Sequence, residues 1–360
     1  MLANKANYLA KHGYEVIIIT TDQHNGEPFF ELSPRIKTYD LGINYAENND
    51  KSFLNKISHY PFKQLKHKRL LTKLLYDLQA DIVISMFCND VSFITNIRDG
   101  SKKILEIHFS KFKRIQYSRK GIWKLADWWR SRMDEKTVRL FDKFIVLTSE
   151  DKGYWGDLPN IEVIANAKNK WENYTASLEN KQVIAVGRYN FQKGFNRLIE
   201  AWRTVSDRYP DWKLKIVGNG ELRSDLEMLI NKYNLNDTIE LKESTSEILS
   251  EYLDASLLVM TSHYEGLPMV LLEAMSVGLP MVSFDCKCGP KDLITDGEDG
   301  FLVPEGNIPM LVERIIQLIE NKNMRKQMGQ AAQIKSAQFA ESVIMEKWMQ
   351  LFDNLLNEKS

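Results

Sequence analysis

The stretch Ser262-His263-Tyr264-Glu265-Gly266-Leu267-Pro268-Met269-Val270-Leu271-Leu272-Glu273-Ala274-Met275 decides the fold of this chain, because it joins an apolar strand to a helix. Glu265, followed by Gly and Pro, opens the helix, and Glu273 comes eight residues later. Eight residues span slightly over two helical turns, which predicts one face for the helical stretch between them. The unpaired amides of a first turn favour phosphate, and a neighbouring carboxylate can accept hydrogen bonds from sugar hydroxyls. These parts predict a nucleotide-sugar site; two solvent-facing acids are the alternative.

Composition limits the class of protein. The 360 residues are enough for two domains with separate cores. Residues 1–165 carry 26 Lys and Arg against 20 Asp and Glu, and residues 166–360 carry 22 against 28, so the front half is basic. This imbalance weakly indicates an anionic partner. Three cysteines cannot build a disulfide framework, so we expect a reducing compartment, and the pair at 286 and 288 has no further Cys or His cluster nearby. No membrane-spanning run or signal peptide is predicted.

Strands and helices alternate along the chain, which predicts an α/β protein with parallel sheets. The chain opens with a helical pattern, a stop at Gly13 and a buried strand at 16–20, without the strand and Gly-rich turn that normally begin a doubly wound domain. We therefore expect either a gene start upstream of Met1 or an incomplete sheet of lowered stability. Further strands are predicted at 82–86, 103–108, 143–147, 161–164, 183–186, 213–217, 238–241, 257–261, 282–284 and 300–303. Helices are predicted at 194–209, 222–233, 247–255, from 308 onward and at 343–356.

The polar stretch between the two alternating series divides the chain. We predict an N-terminal Rossmann-like domain at 1–167, a linker at 168–181 and a C-terminal nucleotide-sugar-binding domain at 182–340. A closing amphipathic helix at 341–358 is expected to pack back on the first domain.

Two cations follow the first strand of the second domain. Arg188 comes after that strand and Lys193-Gly194 opens the next helix. Ligands bind at the carboxyl ends of parallel strands, so these cations could neutralise a diphosphate; solvated surface cations are the alternative. Gly218-Asn219-Gly220 and Gly289-Pro290 are weaker signals, because a tight turn alone explains each.

The order and spacing of these motifs resemble those of the retaining glycosyltransferases of family four. The resemblance is strong over 183–305, good around Trp348 and thin over 20–140, and it implies the GT-B fold, in which two Rossmann-like domains face each other across a cleft. The block around Glu265 looks most like the subgroup that extends lipid-linked oligosaccharides or polysaccharide repeat units. The matching residues are Gly187-Arg188, Lys193-Gly194, Gly218-Asn219-Gly220, Glu265-Gly266, Glu273-Ala274-Met275, Gly278-Leu279-Pro280, Gly289-Pro290 and Asp296-Gly297 with Gly300-Phe301-Leu302-Val303.

The resemblance implies a role for each matching residue. Arg188 and Lys193 would bind the donor diphosphate and stabilise the departing nucleotide. Glu273 would accept hydrogen bonds from the ribose, and Glu265 from the donor sugar. The segment at Glu243 would meet the base, although the family usually has Gly there. The remaining donor-site residues would be Gly218, Gly266, Leu267, Met269 and Val270. Such enzymes need no catalytic metal, so no metal and no cofactor besides the donor substrate is predicted.

The front domain offers two further candidates. His108 ends the strand Ile104-Leu105-Glu106-Ile107, where the family often has a histidine near the donor sugar; a structural or surface histidine is the alternative. The basic, aromatic stretch 111–132 resembles the acceptor and membrane-docking region of members with lipid acceptors. A solvated helix with inward Trp residues is the alternative there.

The function that the resemblance implies is transfer of a hexose or N-acetylhexosamine from a nucleotide sugar, expected to be UDP-linked, to a glycan or lipid-linked acceptor with retention of configuration. The expected location is the cytoplasm, or the cytoplasmic face of the inner membrane. An epimerase or phosphorylase of the same fold, or a catalytically impaired or non-catalytic binding protein, is the alternative. Nucleic-acid binding is not predicted, because the basic residues lack a recognised binding module.

Overall fold

The computed structural model describes residues 1–24, 26–48, 53–113, 121–171 and 173–357, with only the backbone described at 53–58 and 122–126. It is an α/β protein whose strands form two separate parallel layers, one in each half of the chain. The strands are β1 Ile17–Thr20, β2 Lys37–Asp40, β3 Ile82–Ser85, β4 Lys102–Glu106, β5 Lys143–Val146, β6 Ile161–Val163, β7 Gln182–Val186, β8 Lys213–Val217, β9 Ile239–Lys242, β10 Leu257–Met260, β11 Met281–Asp285 and β12 Gly300–Pro304. The helices are α1 Leu2–Lys11, α2 Phe53–Leu78, α3 Ile122–Thr137, α4 Ser149–Trp155, α5 Phe195–Arg208, α6 Arg223–Lys232, α7 Ile248–Leu253, α8 Met269–Ser276, α9 Pro290–Leu293, α10 Ile308–Glu320, α11 Lys322–Ser336 and α12 Glu341–Asn357.

The strands of the N-terminal layer fall into two groups in the described part of the chain. β1 pairs with β2, and β3, β4, β5 and β6 pair in that order, all in parallel. β1 and β3 therefore each have one edge without a strand partner among the described residues. β2 was not predicted, because its four residues are all exposed and lack an apolar pattern.

The C-terminal layer is one six-stranded parallel sheet in the order β12-β11-β10-β7-β8-β9, counted over the described residues. The predicted strands of this half are confirmed to within about two residues at each end. The centres of β7, β10 and β11 are fully buried because helices cover both faces there; Val183, Ile184 and Ala185 of β7 are examples. The chain runs outward from β7 through β8 to β9, then returns to β10 on the other side of β7. The switch point of this sheet therefore lies between β7 and β10.

The last helix, α12, packs against the first one. The Tyr14 ring contacts Phe352 edge-on, and the Lys5 ammonium lies over the ring of Trp348, 3.7 Å from its centroid. Leu9 belongs to the same buried apolar cluster as Trp348 and Phe352. The C-terminal end of the chain thus contributes to the core beside α1.

The two halves are joined by direct hydrogen bonds near α4 and α9. The Asp292 carboxylate accepts from the backbone N–H of Ser149 at 2.6 Å and of Glu150 at 3.3 Å. In return, the Glu150 carboxylate accepts from the Gly289 N–H at 3.2 Å. The Lys168 N–H also donates to the Phe339 carbonyl where the chain crosses between the halves. We call the hydrogen-bonded contact between Ser149–Glu150 and Gly289–Asp292 the interdomain joint.

Candidate functional site

The residues predicted for the donor site follow four neighbouring strands. β10 ends just before Thr261 and Ser262, β7 before Gly187 and Arg188, β8 before Gly218, and β9 before Glu243. Because β10, β7, β8 and β9 are adjacent and parallel, their carboxyl ends meet along one edge of the sheet. This edge includes the switch point between β7 and β10, where loops diverge and leave a crevice for a ligand.

Glu265 lies in this crevice and is buried, with 6% of its surface exposed. Lys193 Nζ, which follows β7, lies 2.7 Å from Glu265 Oε1, and the Ser262 hydroxyl donates to the same oxygen at 2.6 Å. The Gln192 amide holds the loop from the other side, donating to the Tyr264 carbonyl at 3.0 Å. A carboxylate and an ammonium are therefore held together at the switch point, on segments that come from two different strands.

The structure does not place Glu265 and Glu273 on one helix, as the sequence predicted. α8 begins at Met269, and Pro268 is its N-cap residue. Glu265 belongs to the loop before this helix, because Pro268 is extended and the Glu265 N–H donates to the Lys287 carbonyl instead of entering a helical turn. The prediction of a helix opening at Glu265 was wrong. The two carboxylates share proximity to Lys193, whose charge also acts on Glu273.

Glu273 is held from beneath by two protein donors. The Tyr252 hydroxyl donates to its Oε2 at 2.7 Å, and the Asn169 amide donates to its Oε1 at 3.3 Å. Burial raises the pKa of Glu273 above its ordinary value, although both hydrogen bonds and the nearby Lys193 act in the opposite direction. Each oxygen keeps a further lone pair, so the carboxylate can still accept hydrogen bonds from a ligand.

The glycines after β7 and β8 allow two loops to pack against each other. The alkyl chain of Lys193 runs over Gly187, where a Cβ would come within 2.9 Å of Lys193 Cε. A Cβ at Gly218 would overlap the Gly187 carbonyl, and the Gly187 N–H donates to the Val217 carbonyl at 3.0 Å. Gly218 is thus required by close backbone packing, which positions the stem of Lys193.

Two further predicted residues, the cation Arg188 and the acid Glu243, are more exposed than Lys193 and Glu265. Arg188 is exposed and has no ion pair within the described part of the chain. Glu243 is also exposed, and the closest cation to its carboxylate is Arg223, at 3.9 Å. In the same loop the Asn219 amide donates to the Ser244 hydroxyl at 2.8 Å, which ties the end of β8 to the end of β9.

The start of α8 lies beside these side chains. Met269 and Val270 occupy the first turn of this eight-residue helix, so their N–H groups are at its positive end. Gly266 and Leu267 precede them in the loop, and a Cβ on Gly289 would lie 2.5 Å from Pro268 Cδ. The loop from 265 to 268 is therefore tightly covered by the segment that follows β11.

His108 meets this loop from the other half of the protein. A Cβ on Gly266 would lie 2.7 Å from the His108 carbonyl oxygen and 3.0 Å from Phe109 Cα. Behind the imidazole, Glu106 Oε1 lies 3.2 Å from His108 Nε2, and Lys5 forms an ion pair with Glu106 Oε2. The structure thus brings the backbone of His108 in the N-terminal half against Gly266 in the loop that follows β10.

The basic, aromatic stretch 111–132 is described only in part, because 114–120 and the side chains of 122–126 lie outside the described residues. Lys111 Nζ pairs with Glu135 at 2.9 Å, and its backbone N–H donates to Asp151. Trp128 and Trp129 of α3 are more than half exposed. Two of the tryptophans therefore face outward. This differs from the alternative of a solvated helix whose tryptophans pack inward.

Sequence reasoning missed the groups that hold the candidate residues in place. Ser262 and Gln192 fix Glu265, Tyr252 and Asn169 fix Glu273, and Lys5 pairs behind His108. Ser262 carried a signal, because it stands three residues before Glu265. The other residues lie far from their partners in the sequence, so no local sequence pattern could have indicated these contacts.

The described residues contain no cluster of three or more His, Cys, Asp or Glu side chains arranged as metal ligands. None of their helices combines the length and hydropathy needed to cross a bilayer.

Comparison with known proteins places this chain among glycosyltransferases. The profile of the family described as Glycosyl transferases group 1 matches residues 166–335, which contain the residues predicted for the donor site in the C-terminal half. An uncharacterized glycosyltransferase of Haemophilus influenzae is 31% identical over 351 residues, covering 96% of this chain and 93% of the relative.

Two further similarities extend over most of the chain. A Campylobacter jejuni protein named GalNAc-α-(1→4)-GalNAc-α-(1→3)-diNAcBac-PP-undecaprenol α-1,4-N-acetyl-D-galactosaminyltransferase is 25% identical, covering 99% of this chain and 94% of its own. The crystal structure of a mutant of S. aureus TarM in complex with Fondaparinux, α-GlcNAc-glycerol and UDP has a TM-score of 0.69 at 26% identity. That match covers 81% of this chain and 59% of the TarM chain.

Proposed function

This chain belongs to the glycosyltransferase group 1 family, and from that premise we propose that it moves a hexose or N-acetylhexosamine from a UDP-sugar to a glycan or lipid-linked oligosaccharide, with retention of configuration. The UDP in the TarM complex supports the choice of base. The polyprenol-linked acceptor in the name of the C. jejuni relative supports the acceptor class.

The observation that carries the proposal is the Lys193–Glu265 pair at the switch point between β7 and β10. Its ammonium can contact a diphosphate, while its carboxylate, already fixed by Ser262, can accept hydrogen bonds from sugar hydroxyls. The exposed Arg188 guanidinium beside it is available for the same diphosphate. Glu273, with lone pairs left on both oxygens, takes the ribose hydroxyls. Gly218, Glu243 and the loop from Gly266 to Val270 complete the donor site.

The proposed reaction needs charge stabilisation more than proton transfer by the protein. The acceptor hydroxyl attacks the anomeric carbon from the face that the diphosphate leaves, the carbon–oxygen bond to phosphate breaks, and the departing phosphate oxygen takes the acceptor's proton. Arg188, Lys193 and the first amides of α8 stabilise the negative charge that develops on the leaving group. His108 contacts the donor sugar from the opposite side of the cleft. The proposal requires no metal or other cofactor.

The acceptor side of the proposal includes the membrane. The outward Trp128 and Trp129, with Arg130 and Arg132 nearby in α3, combine interfacial aromatic groups with cations that attract anionic headgroups. We place the protein on the cytoplasmic face of a membrane, where a lipid-linked acceptor would be reached without a spanning helix.

The proposal is tested by calorimetric titration of UDP, GDP and ADP, followed by transfer assays with UDP-sugars and polyprenol-linked acceptors. We expect UDP to bind with a Kd in the micromolar range and Glu273→Ala to weaken it by about 10- to 100-fold, since hydrogen bonds to a charged group contribute about 1.5–3 kcal/mol. Glu313→Ala, an exposed acid on α10, is the matched control and should bind as the parent does.

The outcomes separate the proposal from its alternatives. UDP binding with transfer to acceptor supports it. Release of free sugar or an epimer without acceptor would indicate an epimerase of this fold, and a requirement for inorganic phosphate would indicate a phosphorylase. UDP binding without turnover of any UDP-sugar would leave a non-catalytic binding protein, and equal binding of all three nucleotides would contradict the choice of UDP.

A further inference from the structure

A buried carboxylate lies directly behind the candidate histidine. Glu106, the last residue of β4, is 3% exposed, and its two oxygens face two different side chains. Oε2 pairs with Lys5 of α1, and Oε1 lies 3.2 Å from His108 Nε2. Nε2 is itself buried and has no well-aligned hydrogen bond among the described residues. At 3.2 Å it is within hydrogen-bond reach of Glu106, and such bonds often tighten only when a ligand binds.

The lysine of this group is also largely enclosed. The Lys5 side chain is 11% exposed, and its ammonium lies over Trp348, 3.7 Å from the ring centroid. Burial alone would raise the pKa of Glu106, but attraction to Lys5 and the interaction with His108 outweigh it and leave that pKa below its ordinary value. The carboxylate is therefore ionised at neutral pH and can only accept hydrogen bonds.

A buried ion pair contributes little to stability, because desolvation of both charges offsets their attraction. Its position suggests another role, since the same strand end carries His108, whose carbonyl packs on Gly266 in the donor-site loop. A carboxylate acceptor also selects one form of the ring. Nε2 must carry the hydrogen, and in the neutral ring Nδ1 is then left as the acceptor.

We propose that Glu106 is a positioning residue that fixes the orientation and tautomer of His108, and that Lys5, covered by Trp348, holds Glu106 in place. The inference rests on the proposed function insofar as His108 acts on the donor sugar. In this proposal α1 and α12 do more than build the core. They hold Lys5 in place as the partner of the Glu106 carboxylate.

Four variants of the whole chain test this: Glu106→Gln, His108→Ala, their combination, and Glu106→Gln with Lys5→Met. We expect Glu106→Gln to lower kcat by about 10- to 100-fold, the loss expected from a misplaced group, with an unchanged Kd for UDP. The combination with His108→Ala should lose no more than His108→Ala alone, because Glu106 acts through the histidine. Adding Lys5→Met to Glu106→Gln removes both buried charges, so the Tm should recover while kcat stays low.

Glu162→Gln is the matched control, because Glu162 pairs with Lys143 in the same sheet and touches no histidine. It should leave kcat unchanged. Multiplicative losses in the double variant, or a kcat that recovers together with the Tm, would show that Glu106 is only structural and overturn the inference. Ring ¹⁵N signals of His108 decide the question without turnover: they should shift in Glu106→Gln, and unchanged signals would refute positioning even if no UDP-sugar is transferred.

Discussion

Gly266→Ala should separate activity from stability, because Gly266 is the point where the two halves touch beside the site. The added Cβ would lie 2.7 Å from the His108 carbonyl oxygen and 3.0 Å from Phe109 Cα. Both contacts are backbone, so neither can yield by a rotamer change. An unstrained carbon–oxygen contact is about 3.3 Å or longer, so the loop and the strand end must part by roughly half an ångström.

The cost of this displacement sets the expected effect. Overpacking by one methyl group typically costs about 1–3 kcal/mol. Since 1.4 kcal/mol is a factor of ten, kcat/KM should fall by about 5- to 150-fold if the contact must persist in the transition state. The Tm should change less, because the halves can relieve the clash by separating slightly without unfolding. Transfer assays and calorimetric melting of the same preparation measure the two effects.

Gly153→Ala is the control for this substitution. Gly153 lies within α4, and a Cβ there would meet no atom within 4 Å. That variant should keep full activity and gain a few tenths to about 1 kcal/mol of stability, the usual benefit of Ala over Gly in a helix. Full activity in Gly266→Ala would refute the reasoning, because it would mean that the contact between Gly266 and His108 is absent when the reaction occurs.

Three further results are expected. UDP affinity should fall as the pH drops through the raised pKa of Glu273. Because that pKa is raised on folding, the Tm of Glu273→Gln should increase relative to the Tm of the parent as the pH rises from about 4 to 7. A Tm difference between the two proteins that stays constant with pH would contradict this. Lys193→Met should lower the free energy of unfolding in urea by about 3 kcal/mol, the low end for a broken buried pair, because Ser262 still donates to Glu265. Adding Glu265→Gln to this variant should restore most of that stability. Additive losses in the double variant would argue against the pairing. Trp128→Ala with Trp129→Ala should weaken sedimentation with anionic vesicles, whereas Met228→Ala on α6 should not, and equal sedimentation of both variants would exclude α3 as the contact.

The sequence was most informative where both faces of a strand are buried. β7 and β10 carry near-continuous apolar runs, because helices cover both sides of the sheet there, and their limits were predicted closely. β2 was missed for the opposite reason: its residues Lys37–Asp40 are exposed and polar, and only pairing with β1 makes them a strand. Periodicity records burial, so it cannot find an exposed strand.

The candidate site was predictable in composition and less so in geometry. The motif order brought Glu265 and Lys193 to neighbouring strand ends, where the structure pairs them. Helical periodicity could not reveal that Pro268 delays the start of α8, which puts Glu265 in a loop. Nor could it place Lys5 behind His108, because that contact joins residues about a hundred positions apart and depends on how α1 packs.

The interdomain joint at Ser149–Glu150 and Gly289–Asp292 determines how the cleft can open. It lies beside the end of β11, four strand spacings, or roughly 19 Å, from the end of β9. A hinge rotation of ~10° about the joint would carry the β9 end about 3 Å away from the other half, but the β10 end by less than about 1 Å. Closure would therefore be felt mainly around Glu243, while Lys193 and Glu265 keep nearly the same distance to His108. Such a rotation would open the β9 side of the cleft while the Lys193–Glu265 pair stays intact.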